Sequence, residues 1–272
     1  PLYVEEPVRA LTSLKDAVII NSRFGGGKAA IQDYETVTHN MDGVYKGTYR
    51  TSWHRFARKA AKESEKYSKI ERKIWTDDEL EAVWDEYNTQ NRKNIQGDTP
   101  LYFEDVEVGT SIPHIVKGPI TLTSKIAFEF AQGTGGWIVG HELAQDLNTQ
   151  YPNLAIRNEE NVPEPPVSIH WTNERCQKYL GMPGAYEAGF ERLNWYMQLI
   201  MNWMGDHGRM RAMKIDFRGF HWQGDLIRLH GDIVDKRIED GKGMVDLKIQ
   251  TITHRDEPTS EGRLTVELPI RG

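Results

Sequence analysis

The 272-residue chain contains one cysteine, Cys176, which excludes an internal disulfide framework and any site built from several cysteines. No run of eighteen apolar residues occurs, so we expect no membrane span. With a formal net charge of −6, the chain has no overall attraction for nucleic acid or for an anionic membrane surface. Its first residues lack the basic and apolar regions of a signal peptide. These absences predict a cytoplasmic protein that binds neither nucleic acid nor membrane.

Signatures of cofactor and metal chemistry are also missing. The nine histidines show no spacing typical of metal ligands, so we expect no metal site. The sequence Gly-Gly-Gly-Lys at 25–28 is followed by Ala29, whereas a phosphate-binding loop needs a Ser or Thr and then a helix. Serine-hydrolase and dinucleotide-binding fingerprints are absent as well. We therefore predict that the protein works without a cofactor.

Aromatic residues are plentiful, with eight Trp and eleven Tyr, which favours a large aromatic core or an apolar pocket. Residues 11–56 have the pattern of β-structure. Val18–Ile20 start a strand, 22–28 form a turn, and 30–37 give a second strand. Asn-Met-Asp-Gly at 40–43 predicts a hairpin turn before a third strand at 44–56. The front of the chain is therefore predicted to be a three-stranded meander.

Residues 57–96 are rich in charge of both signs, which is typical of a solvated helical connection rather than of a binding patch. Thr76 with Glu79 three residues later predicts a capping box. A helix should follow, with Leu80, Val83 and other apolar residues on one face.

The remainder of the chain has the elements of a complete second unit. Residues 102–109 suggest an opening strand, and Thr123 is the predicted N-cap of a helix at 124–132. A polar excursion reaches residue 166, and 185–204 are so apolar that we predict a long buried helix. Four alternating segments predict the final strands: 213–220, 225–236, 243–254 and 263–269.

Residues 168–192 carry the most specific pattern of the chain. They place His170 at the end of an extended segment, before a short polar helix, the turn Gly181-Met182-Pro183-Gly184 and the long apolar helix. This order resembles the active-site half of MaoC-like enoyl-CoA hydratases and acyl dehydratases. The resemblance covers residue 101 to the C-terminus and, more faintly, the first 56 residues. It implies an α+β hotdog fold, in which an antiparallel sheet wraps a long central helix.

The same resemblance implies a domain organisation. Residues 101–272 match a whole MaoC-like hotdog domain, and 61–100 are a charged helical linker. Residues 1–60 match only a partial hotdog, a meander without its central helix, as in a double-hotdog enzyme with an incomplete first copy. An uncovered three-stranded sheet exposes an apolar face. We therefore expect a second hotdog subunit or an intertwined homodimer to complete it.

The resemblance also implies a reaction, the hydration or dehydration of an acyl-CoA thioester, with His170 as its acid or base. MaoC-like enzymes carry a Gly-Asp-x-Asn-Pro-x-His loop whose Asp and His share the water. Here Gly-Thr-Gly-Gly stands at 133–136 where the Asp is expected. Glu164, six residues before His170, and His141 in the insertion are the two candidate substitutes.

Further residues are implied to bind the substrate. Backbone amides at a helix N-terminus stabilise a developing negative charge, so the turn at Gly184 and Ala185 is the predicted oxyanion region. Gly189 matches a glycine that the family places against the thioester. The remaining candidates are Tyr186 and Trp171 for the acyl pocket, and Arg192, Arg209 and Arg211 for the phosphates of CoA.

Two other functions remain open on the sequence alone. Loss of the Asp is what a non-catalytic hotdog subunit would show, and such a chain would scaffold or shape the pocket of a catalytic partner. The site would also permit a different reaction on an aromatic or dicarboxylic acid derivative.

Overall fold

The computed structural model describes residues 5–22, 27–56, 72–132 and 140–272. The predicted turn at 22–28, the charged stretch and the Gly-Thr-Gly-Gly segment lie wholly or partly outside the described residues. The chain divides into two compact units. One comprises residues 1–70 with 177–183, and the other comprises 71–176 with 184–272.

The first unit contains the predicted antiparallel meander: β1 (Val8–Ser22), β2 (Gly27–Asn40) and β3 (Tyr45–Phe56), paired in that order. β1 begins ten residues before the predicted strand start at Val18, because a run of single apolar residues between polar ones already pairs with β2. Leu11 and Ile19 remain 72% and 70% exposed. The meander therefore presents large apolar side chains on its surface.

The second unit opens with α1 (Asp77–Glu86), and the predicted capping box of Thr76 and Glu79 is confirmed. A single π-helical turn follows at 87–92. From it, the Asn91 amide accepts a hydrogen bond from the Val116 N–H and donates one to the Val116 carbonyl, both at 2.8 Å. Val116 belongs to a strand at the edge of its sheet. The Asn91 side chain therefore satisfies backbone groups that another chain could otherwise bind.

Two local predictions are corrected next. The expected strand at 102–109 is a 3-10 turn at Phe103–Asp105, and the strand β4 (Ser111–Lys117) comes after it. The following helix, α2 (Leu122–Ala131), is capped by Thr121 rather than Thr123. The Thr121 hydroxyl accepts from the Ser124 N–H, and the Ser124 hydroxyl accepts from the Thr121 N–H, a reciprocal pair that Thr123 is two residues too late to form.

The polar excursion holds α3 (His141–Gln150) and a small ribbon of β5 (Ile156–Arg157) and β6 (Pro163–Glu164). His170 ends a 3-10 turn (Pro166–His170) instead of the predicted extended segment. Pro166 supplies the helical φ at the first position of that turn. The short polar helix predicted after His170 is confirmed as α4 (Asn173–Leu180).

The central helix α5 (Gly189–Met204) packs against a five-stranded antiparallel sheet. Tyr196, Leu199 and Ile200 are fully buried in a core shared with Leu229 and Leu247 of the sheet. The predicted α+β hotdog architecture is therefore confirmed. The final strands are β7 (Arg209–Phe217), β8 (Ile227–Glu239), β9 (Lys242–Thr253) and β10 (Pro258–Leu268), in the spatial order β4-β8-β9-β10-β7.

α5 starts four residues after its predicted beginning at Ala185. The Glu187 N–H donates to the His221 carbonyl and the Gln223 N–H donates to the Ala185 carbonyl, so residues 185–187 form a bridge with the segment before β8. Helical geometry begins only after the cap at Ala188. None of the helices in the described residues is long and apolar enough to cross a membrane.

Candidate functional site

His170 is held from both its ring and its backbone. Its Nδ1 lies 3.2 Å from the Tyr186 carbonyl oxygen, and its own carbonyl oxygen accepts a hydrogen bond from Lys125 Nζ at 2.6 Å. Since a carbonyl only accepts, Nδ1 carries the hydrogen and Nε2 is the basic nitrogen of the ring. Burial lowers the pKa of His170 to about 4. At neutral pH the ring is therefore uncharged.

Three aromatic side chains form a wall beside His170. Tyr186 meets the His170 ring edge-on at 4.5 Å and the Phe220 ring at 4.6 Å, and Trp222 lies 5.9 Å from Tyr186. Tyr186 was predicted to line an acyl pocket, whereas Phe220 and Trp222 were not predicted. Their signal in the sequence was the aromatic run Phe-His-Trp at 220–222, where the predicted strand 213–220 ends. The wall therefore places an aromatic side chain, Tyr186, against the His170 ring.

Next to this wall lies a buried ionic cluster, which we call the Glu187 network: Glu187, Arg192 and His221. Arg192 donates to Glu187 Oε1 through Nε, at 3.0 Å, and through Nη2. Glu187 Oε2 accepts the His221 N–H at 3.0 Å. Burial alone would raise the pKa of Glu187, but the charges of Arg192 and His221 and their hydrogen bonds lower it to about 2.

Arg192 is wrongly predicted as a phosphate ligand. The residue is only 2% exposed, and two more of its N–H groups donate to the Thr259 and Gly219 carbonyl oxygens at 2.9 and 3.1 Å. A buried guanidinium that directs four of its five N–H donors at protein oxygens is not accessible to a diphosphate. Its role is to hold the ends of α5 and β10 together.

A second polar cluster, which we call the Glu191 group, consists of Lys125, Glu129 and Glu191, and the charges of the first two act on Glu191. Lys125 is 1% exposed and also donates to Gln223 Oε1 at 3.3 Å. Burial lowers the pKa of Lys125 to about 8, in spite of nearby acidic groups that raise it. Glu129 accepts the Trp171 indole N–H at 2.8 Å, and burial raises the pKa of Glu129.

Glu191 stands apart because it has no matching partner. It lies in the first turn of α5 and is 5% exposed, and among the described residues its Oε2 atom has no hydrogen-bond partner. Burial and the negative charges of Glu187 and Glu129 raise the pKa of Glu191 to about 8, while Lys125 and Lys117 oppose that rise. At neutral pH this group is a carboxylic acid rather than a carboxylate.

Neither predicted substitute for the missing Asp contacts His170. Arg175 donates to both oxygens of Glu164, at 2.8 and 2.9 Å, and Asn158 donates to Oε1 at 2.9 Å. Glu164 is therefore engaged in an ion pair that fixes β6 to α4. His141 is the exposed first residue of α3, and its side chain has no hydrogen bond to another described residue. Sequence proximity to His170 was misleading because the excursion folds as a separate ribbon and helix.

The turn at Gly184 and Ala185, predicted as the oxyanion region, makes contacts within the protein instead. The Ala185 N–H donates to Asn173 Oδ1 at 2.9 Å, and a Cβ atom on Gly184 would come within 2.8 Å of that same oxygen. Both residues are buried four to five positions before α5 begins, so these amides do not lie at the helix N-terminus. Gly189 does, and a Cβ atom there would lie 3.0 Å from the Phe217 ring.

The other predicted ligands lie in different surroundings. Trp171 is half-buried and its indole N–H is used by Glu129. Arg211 is paired with Glu267 across β7 and β10. Arg209 is exposed at the start of β7 and forms no ion pair with another described residue. Of the three arginines it is therefore the one that a phosphate in solvent could reach. Among the residues that the structure describes, no three His, Cys, Asp or Glu side chains are grouped as metal ligands.

No protein-family model matches the sequence, and no curated protein matches it significantly. Among solved structures, a MaoC-like dehydratase matches with a TM-score of 0.61 and 13% identity, over 100% of this chain and 72% of its own. A putative MaoC domain protein dehydratase from Chloroflexus aurantiacus J-10-fl has a TM-score of 0.52 and 11% identity, over 97% of this chain and 71% of its own. The chain therefore has the hotdog fold of the MaoC-like dehydratases.

Proposed function

We propose that this protein is a hydratase or dehydratase that acts on an acyl-CoA (enoyl) thioester. The observation that carries the proposal is the setting of His170. A neutral imidazole is fixed through Nδ1, its Nε2 is left basic, and it lies against an aromatic wall beside the start of the hotdog helix. A general base with one orienting hydrogen bond and an apolar acyl site next to it is what hydration of a conjugated thioester requires.

In the hydration direction, His170 Nε2 takes a proton from water as the hydroxyl oxygen adds to the β-carbon of the enoyl group. The aromatic wall of Tyr186, Phe220 and Trp222 would hold the acyl group, since aromatic faces bury apolar carbon and exclude competing water. In the reverse direction, the imidazolium returns the proton to the departing hydroxyl group. Arg209 is the available cation for a CoA phosphate.

We further propose that the protein works as a subunit of a larger assembly, with acyl-CoA as its ligand and a second hotdog chain or a second copy of itself as its partner. Exposed apolar side chains on the meander, Leu11 and Ile19 among them, support this because isolated three-stranded sheets are marginally stable in water. Light scattering of the purified chain should give a mass above that of one 31.3 kDa chain. A monomer that binds no hotdog partner would contradict the assembly.

A non-catalytic scaffold subunit is the second candidate. It is favoured by one observation, that neither Glu164 nor His141 bonds to His170. Under this alternative the chain would shape a partner's pocket, and its own histidine would not affect turnover.

The deciding experiment measures loss of the enoyl-thioester ultraviolet absorbance with a panel of trans-2-enoyl-CoAs. We expect the wild-type chain, alone or with its partner, to hydrate at least one of them. His170→Ala should lower kcat/KM by about 10³-fold, within the range for loss of a general base, with an unchanged thermal unfolding midpoint. Activity that survives His170→Ala would contradict the assignment of His170 as the general base and would favour the scaffold role.

A further inference from the structure

We infer that Glu191 is the general acid of this site: its carboxyl group donates the proton that the α-carbon receives while His170 Nε2 takes the proton of the attacking water. The inference rests on the proposed function, because a general acid has meaning only for a reaction at this site. It supplies the second proton-transfer group that the sequence left missing, and it places that group on the central helix rather than in the loop before His170.

The placement follows from shared neighbours. Lys125 donates to the His170 carbonyl oxygen, and its positive charge acts on both His170 and Glu191. The negative charge of Glu187 acts on both as well. The backbone keeps the two residues near each other, because the Tyr186 carbonyl holds His170 Nδ1 and Glu191 follows five residues later, in the first turn of α5.

The other two buried glutamates are excluded by their hydrogen bonds. Glu187 is bound by Arg192 and by the His221 N–H and stays ionised, so it has no proton to give. Glu129 uses one oxygen to hold the Trp171 indole. Glu191 alone among these three has a buried carboxyl oxygen without a partner, and buried polar atoms without partners are uncommon enough to require a reason.

The protons balance over one turnover. Water loses a proton to His170 Nε2, its oxygen forms the bond to the β-carbon, and the electron pair of the double bond moves to form an enolate. The α-carbon then takes the Glu191 proton, which yields the 3-hydroxyacyl thioester, an imidazolium and a carboxylate. Proton transfer from the imidazolium to the carboxylate, directly or through solvent, restores the starting state. The net reaction is addition of one water molecule.

The two groups also have their protonation order inverted with respect to free solution. A histidine is normally the weaker acid of such a pair, but here the pKa of His170 is about 4 and that of Glu191 about 8. Environments that push two titratable groups apart in this way create a base and an acid that are both available at neutral pH.

The test compares Glu191→Gln with wild type and with Glu107→Gln, a matched change at an exposed glutamate. Glutamine keeps the size of the side chain but cannot donate a proton to carbon. We expect kcat/KM on the enoyl-CoA that wild type uses to fall about 10²-fold. The decline of wild-type activity as the pH rises through the ionisation of Glu191 should disappear in the variant, and Glu107→Gln should behave as wild type.

An infrared titration gives a readout that does not depend on activity. Wild type and Glu107→Gln should retain a protonated-carboxyl band near neutral pH that Glu191→Gln lacks. Activity in wild type that is lost in His170→Ala would support the proposed function. If Glu191→Gln then keeps full activity and the wild-type pH profile, the inference about Glu191 fails while the proposed function stands. If wild type hydrates no enoyl-CoA, the proposed function fails and this inference with it. Absence of the band at neutral pH would overturn the inference by itself.

Discussion

The Glu187 network and the Glu191 group each bury a glutamate close to the start of α5, yet the two glutamates differ in their charge at neutral pH. Glu187 keeps its charge because Arg192 and the His221 amide bind both oxygens. Glu191 has no such partner and gives up its charge by taking a proton. A satisfied ion pair is an expected structural device. An unsatisfied buried carboxyl costs stability, and that cost suggests a function.

The largest effect that would sharpen this comparison is on stability. Glu187→Gln leaves the Arg192 guanidinium buried without a counter-charge, so the free energy of unfolding should fall by about 3–5 kcal/mol, measured by denaturant titration. The double variant Glu187→Gln with Arg192→Met removes both charges and should recover part of that loss. A single variant as stable as wild type would mean that the network is not a structural ion pair.

A smaller effect is expected at Lys125, which belongs to the Glu191 group but also holds His170. Lys125→Met removes a charged hydrogen bond to the His170 carbonyl and should cost about 2 kcal/mol of unfolding free energy. Because the lysine charge opposes the raised pKa of Glu191, its removal should also move the alkaline limb of the pH–rate profile to higher pH. An alkaline limb at the wild-type pH would show that the charge of Lys125 does not affect the ionisation of Glu191.

The smallest effect is expected at Glu164, which lies in neither cluster. Its pair with Arg175 is partly solvated, so Glu164→Gln should lower the unfolding free energy by about 1 kcal/mol or less. The hydration rate should not change, because the side chain makes no contact with His170. A large loss of activity would return Glu164 to the catalytic site and weaken the case for Glu191.

Signals confined to a few residues predicted the fold well. The capping box at Thr76, the three-stranded meander, the polar helix after His170 and the four last strands are all encoded by short-range patterns. The start of α5 was not, because Tyr186 pairs with Trp222, 36 positions along the chain. Local propensity contains no information about that bridge, and so it predicted a helix from Ala185.

The site was harder to predict for a related reason. Glu191 and Arg192 are polar residues in a helix, and such residues ordinarily face solvent. In the folded chain they are buried, whereas Met197 and Met201 of the same helix are 37% and 56% exposed. Only the wrapping of the sheet around α5 decides which face is covered. His170 was predicted from its flanking residues, while its charged neighbours are Lys125 of α2 and Glu187, which lies just before α5.

The most direct test of the contrast between the two glutamates is the pH dependence of stability in Glu191→Gln. The pKa of Glu191 is about 8 in the folded chain against 4.5 for an ordinary glutamate, so the unfolded state binds fewer protons between these values and wild-type stability falls as the pH rises. The variant does not carry this penalty. It should match wild type at pH 4.5 and be more stable by about 3 kcal/mol at pH 7. A variant that is equally stable or less stable at pH 7 would contradict the assignment of Glu191 as a buried acid.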